Sequence, residues 1–164
     1  MLEIRAAEIV DAESINKIYN HYVLNSLVTF DIEPTEAKFW AEKIRRLQDI
    51  GLPFLVACSG LKILGFAYAS PWRPKAAYRQ SVEDTIYLAP DAVGQGFGNK
   101  LFEELIEKCR AANIREMIAV ISAEGAESSI ALHQRFGFAT SGHLANVGYK
   151  FDRWLGTVLM QKSL

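Results

Sequence analysis

Three glycines fall within five residues of the stretch EDTIYLAPDAVGQGFGNKLFEELIEKC (83–109), at Gly94, Gly96 and Gly98. They lie between an apolar strand-like run and an amphipathic helix-like run. Such a turn presents successive backbone N–H groups at the positive end of a helix dipole, a setting that suits a phosphate. Glycine permits positive φ and lets a ligand approach the main chain. Two common phosphate cradles do not fit. GxxxxGK[ST] fails because Gly98-Asn99-Lys100 runs on into Leu101, and GxGxxG fails because the spacing here is GxGxG, late in the chain. The triple also fits a tight corner with no ligand.

A second concentration is PWRPKAAYRQ, where Arg73, Lys75 and Arg79 put three cations within seven residues beside Trp72 and Tyr78. Arginine suits a carboxylate or similar oxyanion held by two hydrogen bonds. Burying such an anion without paired cations costs several kcal/mol, on the order of what a charged group loses on leaving water. A solvated charged face is the plainer alternative. Lys150, Phe151, Arg153 and Trp154 repeat the pairing of cations and aromatics near the C-terminus. Cys58 and Cys109 fall in a strand-like run and on a helical apolar stripe, so neither a disulfide nor a cysteine nucleophile is expected. Three scattered histidines without a cysteine cluster give no metal site.

These residues need a frame. Apolar periodicity predicts a strand at LEIRAA and a helix through AESINKIYNHYVLNS with Asp11 as cap. A second helix from a Thr35 cap to about Gln48 follows. PFLVACS and KILGFAYAS read as a hairpin and SVEDTIYLA as the next strand. A helix follows the glycines, then a strand at EMIAVIS and a helix at SSIALHQRF closed by Gly137. Two strands, near FATSGHLANV and LGTVLMQK, end the chain. The order βααβββαβαββ describes one α/β domain over residues 1–164. A net charge of −1 argues against non-specific nucleic-acid binding. No apolar run reaches the roughly 18 residues of a membrane helix. No signal peptide is recognised, and a reducing cytoplasm is the expected location.

IYLAPDAVGQGFGNKLFEELIEKC resembles the acetyl-CoA-binding motif of the GCN5-related N-acetyltransferases (GNAT), (Q/R)-x-x-G-x-(G/A) at a helix start. Gly96 and Gly98 match the small positions, and Val93 stands where the family usually has Gln or Arg. IYNHYVLNSLVTFDIEP, YASPWRPKAAYRQSVEDTIYL, IALHQRFGF and VGYKFDRWLGTVLMQ resemble the phosphinothricin and methionine-sulfone acetyltransferase group. AEGAESS departs from that group's usual Asn-Ala-Ala-Ser-type helix start.

The resemblance implies a GNAT fold: an α/β (α+β mixed) three-layer domain, whose mostly antiparallel sheet of six to seven strands is flanked by about four helices. It implies acetyl-CoA as co-substrate, with no metal, and a small amino-acid-like acceptor of the phosphinothricin, methionine sulfone or methionine sulfoximine kind. Neither nucleic acid nor membrane is an expected partner, and a homodimer is admitted. Glu83 matches the group's VE glutamate and is the expected proton acceptor; Asp84 should face the other way. The main chain at Ile86, Tyr87 and Leu88 is implied to pair with the pantetheine arm. The turn Val93, Gly94, Gln95, Gly96, Phe97, Gly98 and Asn99 is implied to hold the pyrophosphate. His133 takes the place of a tyrosine near the sulfur, as a thiolate acid or a packed helix histidine. Phe30 aligns with an apolar wall of the acceptor pocket, beside Trp72, Arg73, Lys75, Tyr78, Arg79 and Lys150. Other amines as acceptors, or a non-catalytic coenzyme-binding module, remain open on these residues.

Overall fold

The computed structural model describes all 164 residues. The strands are β1 (Glu3–Ala6), β2 (Phe54–Ser59), β3 (Lys62–Pro71), β4 (Ser81–Leu88), β5 (Glu116–Ser122), β6 (Ala139–Lys150) and β7 (Arg153–Ser163). The helices are α1 (Ala12–Asn25), α2 (Ala37–Asp49), α3 (Phe97–Ala111) and α4 (Glu127–Arg135). They form one seven-stranded sheet in the order β1-β2-β3-β4-β5-β7-β6. Only β4 and β5 run parallel, joined by the α3 crossover. The element order matches the apolar pattern of the sequence.

Both faces of the central strands are covered, which explains why β2 and β3 read as unbroken apolar runs. Directly opposed residues of an antiparallel pair share a face. Phe66 lies opposite Tyr87, Tyr68 opposite Thr85 and Ser70 opposite Glu83. That face meets α1 and α2: Trp40 packs edge-on against Phe66 at 5.2 Å and Tyr19 against Tyr87 at 5.3 Å. The opposite face carries Asp84 and meets α3 and α4 through Phe102 and His133.

Two helix caps differ from expectation. Glu36, not Thr35, precedes α2; the Thr35 hydroxyl instead donates to Asn16 Oδ1 (2.8 Å) and accepts from the Trp40 indole (3.0 Å). Asp11 makes no side-chain cap on α1. Its carboxylate pairs with Arg5 at 2.8 and 2.9 Å and accepts the Glu8 N–H. Both side chains are engaged in tertiary contacts, a competition that local spacing does not reveal. At the C-terminus β6 and β7 extend further than their apolar cores, meeting at Phe151-Asp152 with φ of 51° and 57°. Two residues at positive φ fit the twist of a tight hairpin.

The β4–β5 ladder holds only from Ser81 to Glu83 against Glu116 to Ile118. Beyond Glu83, β4 pairs with β3 alone while β5 continues along β7. The two parallel strands therefore diverge, and one edge of Asp84–Leu88 is left without a strand partner.

Candidate active site

Glu83 stands where that divergence begins. It is half-buried, on the α1–α2 face of the sheet, opposite Ser70. Burial pushes its carboxyl above the usual carboxylate range, and the neighbouring Asp84 charge adds to the rise. Arg73 and Lys43 pull the other way. A carboxylate raised in this way holds a proton more readily, the property that accepting a proton from an amine requires.

Asp84 points to the opposite face, as the alternation of a strand requires. There it meets His133 of α4, with Nε2 at 2.8 Å from Oδ2. The other ring nitrogen, Nδ1, lies 2.7 Å from the Ser129 carbonyl. A carbonyl only accepts, so Nδ1 carries a proton, and Nε2 donates to the carboxylate. Burial alone would lower the imidazole pKa, but the Asp84 hydrogen bond and charge, with the Ser129 carbonyl, hold it above the ordinary histidine value. His133 is 2% exposed and wedged against Phe102 at 4.8 Å and Phe138 at 4.9 Å. Both nitrogens are taken, so its placement supports the packed-histidine alternative over that of a proton donor to a thiolate. The ring touches Phe102 and Phe138 and ties α4 to β4 where the sheet opens.

The glycine turn follows β4. Pro90–Ala92 form a short 3-10 turn, and Gly94 and Gly96 both take positive φ, 81° and 80°, just before α3. A Cβ at either would meet nothing within 4 Å, so backbone conformation rather than space requires glycine there. The Ala92 N–H closes onto the Ala89 carbonyl, but no main-chain N–H from Val93 through Gly98 finds an acceptor in the protein. Six successive free donors at a helix N-terminus can receive an anion. Val93 is exposed and contributes no polar atom. The Gln95 side chain turns back to the Asp91 carbonyl, and Asn99 accepts from Arg135 at 2.8 Å, leaving the main chain as the donor set. Along the open edge of β4, Ile86, Tyr87 and Leu88 lie between Glu83 and the turn. The Leu88 carbonyl already accepts from the Tyr22 hydroxyl at 2.6 Å.

The β3–β4 connection carries the basic segment. Arg73 stacks over the Trp72 ring at 3.9 Å, while Lys75, Tyr78 and Arg79 are exposed, and none of the three cations pairs with a carboxylate. Phe30 lies in the α1–α2 connection, its ring so close to Gly148 that a Cβ there would sit 2.5 Å from it. Lys150 differs from expectation. It is 3% exposed and donates to the Thr29 carbonyl at 2.8 Å, so it anchors the Phe30 loop to the β6–β7 hairpin rather than offering a free charge.

Sequence reasoning missed two contacts: Lys43 donating to the Tyr68 hydroxyl at 2.9 Å, on the Glu83 face of the sheet, and the pairing of Asp84 with His133. Lys43 had a readable signal, since it falls on the stripe of Trp40, Ile44 and Leu47 that α2 buries. A charge on an apolar stripe calls for a reason.

The described acetyltransferase (GNAT) family model matches residues 15–138. The chain is a GNAT-family acetyltransferase. Its seven-stranded mixed sheet and four helices are the GNAT fold. The chain is 42% identical over 154 residues to a phosphinothricin N-acetyltransferase of Alcaligenes faecalis, covering 94% of this chain and 78% of that one. It is 37% identical over 165 residues to an L-methionine sulfoximine/L-methionine sulfone acetyltransferase of Pseudomonas aeruginosa, covering 98% and 94%. A solved GNAT phosphinothricin acetyltransferase from Sinorhizobium meliloti, in complex with AcCoA, superposes with a TM-score of 0.95 at 40% identity, covering 99% of this chain and 88% of that one.

Proposed function

We propose that this GNAT protein transfers an acetyl group from acetyl-CoA to the amino group of a small amino acid with an anionic or strongly polar side-chain head. Phosphinothricin, methionine sulfone and methionine sulfoximine are the acceptors the relatives' names point to. The observation that carries the reading is the alignment along β4: Glu83, then an open strand edge, then a turn of free N–H donors. In this reading the turn from Val93 to Gly98 binds the coenzyme's diphosphate. The unpaired edge at Ile86–Leu88 receives the pantetheine arm as an added strand would. Main-chain N–H groups on that edge stabilise the oxyanion that develops on the thioester carbonyl.

Glu83 takes the proton from the acceptor amine, directly or through a water, so that the nitrogen attacks as a neutral nucleophile. Transfer is direct, within a ternary complex. Both cysteines are buried, and burial pushes the Cys109 thiol up to about 12, which suits neither to form an accessible acyl-enzyme. Trp72, Arg73, Lys75, Tyr78, Arg79 and Phe30 flank the acceptor side, and the unpaired cations there suit an acceptor carboxylate. His133 holds α4 to β4 and is not itself the acid. Cytoplasmic residence and a homodimer remain part of the proposal.

A panel of amine acceptors followed by thiol release tests it. Turnover on methionine sulfone, methionine sulfoximine or phosphinothricin is expected, exceeding that on polyamines, aminoglycosides and peptide N-termini. A preference for a cationic acceptor refutes the acceptor assignment. Tight acetyl-CoA binding with no turnover on any amine refutes catalysis.

A further inference from the structure

Lys43 acts on the Glu83 carboxyl, but the proposed function gives it no ligand of its own. It projects from the buried side of α2 and is half-buried, with its ammonium ringed by Tyr68 at 4.6 Å, Phe39 at 5.0 Å and Trp40 at 5.4 Å. Its one hydrogen bond goes to the Tyr68 hydroxyl at 2.9 Å, and no carboxylate lies within ion-pair range. An ammonium has three donors, so two of them are free. Burying part of a cation beside rings recovers some of its lost hydration, but an anion recovers far more.

The cage lies on the face of the sheet that carries Glu83. Tyr68 is two residues before Ser70 on β3, and Ser70 is directly opposite Glu83. Two residues along a strand amount to about 7 Å, a span that a small amino acid covers between its nitrogen and its most distant oxygens. Charge points the same way. Lys43 and Arg73 both act on the Glu83 carboxyl, and neither has a carboxylate within ion-pair range. An acceptor amino acid brings at least one oxyanion to that cationic side.

We propose that Lys43, steadied by Tyr68, is a specificity-determining residue that receives an oxyanion of the acceptor while Glu83 faces its amine. The inference rests on the amino-acid acceptor reading above and names the residue that enforces it. The oxyanion is either the α-carboxylate or an oxygen of the side-chain head, and the choice of acceptors separates the two.

The experiment compares wild type with Lys43→Met, which keeps the apolar stem, and Lys43→Arg, which keeps the charge. The acceptors are L-methionine sulfone, the same amine without its carboxylate, and L-methionine, which lacks the sulfone oxygens. Lys43→Met is expected to raise KM for methionine sulfone tenfold or more, with a smaller change in kcat, and Lys43→Arg to restore most of the loss. If the carboxylate is the group held, the penalty shrinks for the decarboxylated amine and persists for methionine. If the sulfone is held, the pattern reverses. Thermal melts and acetyl-CoA titrations of each variant serve as controls, with both expected to stay near wild type. An equal loss on all three acceptors, or no loss, overturns the role of Lys43 while the acceptor reading stands. A Lys43→Met protein that does not fold passes the decision to Lys43→Arg and Lys43→Gln, where Gln matching Arg on methionine sulfone overturns it. Wild-type turnover only on amines lacking any oxyanion sinks the acceptor reading and Lys43 with it.

Discussion

Replacing His133 by leucine separates a structural histidine from a catalytic one. Leucine fills a similar volume between Phe102 and Phe138, so the main loss is the charge facing Asp84, which is 7% exposed. Removing one partner of a buried ion pair leaves the other charge uncompensated, at a cost of about 3–5 kcal/mol. For a chain of this size each kcal/mol lowers the melting temperature by about 2–4 °C, so a drop on the order of 10 °C is expected. Replacing both members of the pair by apolar residues should recover most of it. The pH dependence provides a second signature. The folded-state pKa of His133 is raised, because Asp84 and the Ser129 carbonyl outweigh desolvation. Its stabilising contribution is therefore complete below the ordinary histidine pKa of about 6.5 and fades as pH rises through the folded value. Differential scanning calorimetry across that range should show the slope in wild type and not in His133→Leu. Turnover at a temperature where the variant is folded should stay within about tenfold of wild type, well short of the 10²–10⁴ typical of a lost acid or base. A melting temperature within about 2 °C of wild type, together with a hundredfold fall in kcat, refutes the argument and makes His133 an acid after all.

Glu83→Gln should lower kcat by roughly 10²–10⁴, with acetyl-CoA affinity nearly intact by calorimetry. The acidic limb of the rate profile, lying above the ordinary carboxylate range, should vanish with it. Because burial disfavours the ionised Glu83, the folded state gains from that side chain only at low pH and loses the gain as pH rises, so the Gln variant should melt higher than wild type at neutral pH. Gly96→Ala, at a φ of 80°, should cost about 1 kcal/mol or more and weaken acetyl-CoA binding measured by calorimetry; unchanged affinity would remove the turn from the site. Cys58→Ser and Cys109→Ser should retain turnover in a thiol-release assay, and a folded but inactive variant would point to a covalent route. Arg73→Ala should raise the acceptor KM and leave coenzyme binding alone; the reverse pattern puts that arginine on the wrong ligand.

The order of strands and helices was legible because each element buries a periodic stripe or an unbroken apolar run. The glycine turn was legible because positive φ leaves few alternatives to glycine. Elements set by distant partners were not. Thr35 and Asp11 have the right types to cap helices, but Asn16, Trp40 and Arg5 claim their side chains. The hairpin at Phe151-Asp152 lacks the Asn-Gly or Gly-Gly signature that normally marks two residues at positive φ. Lys150 and Arg73 look alike in sequence, each beside an aromatic residue, yet one is buried against a carbonyl and the other stacks in the open. The Asp84–His133 pair spans 49 positions of chain, which no local pattern reports.

The early parting of β4 from β5 has a consequence outside catalysis. A strand edge exposed in mid-sheet is a template for any extended chain that reaches it, and the proposed coenzyme would be its natural occupant. Under the proposed function such a metabolite would act as an eighth, borrowed strand, and its concentration would raise the stability of the fold by mass action.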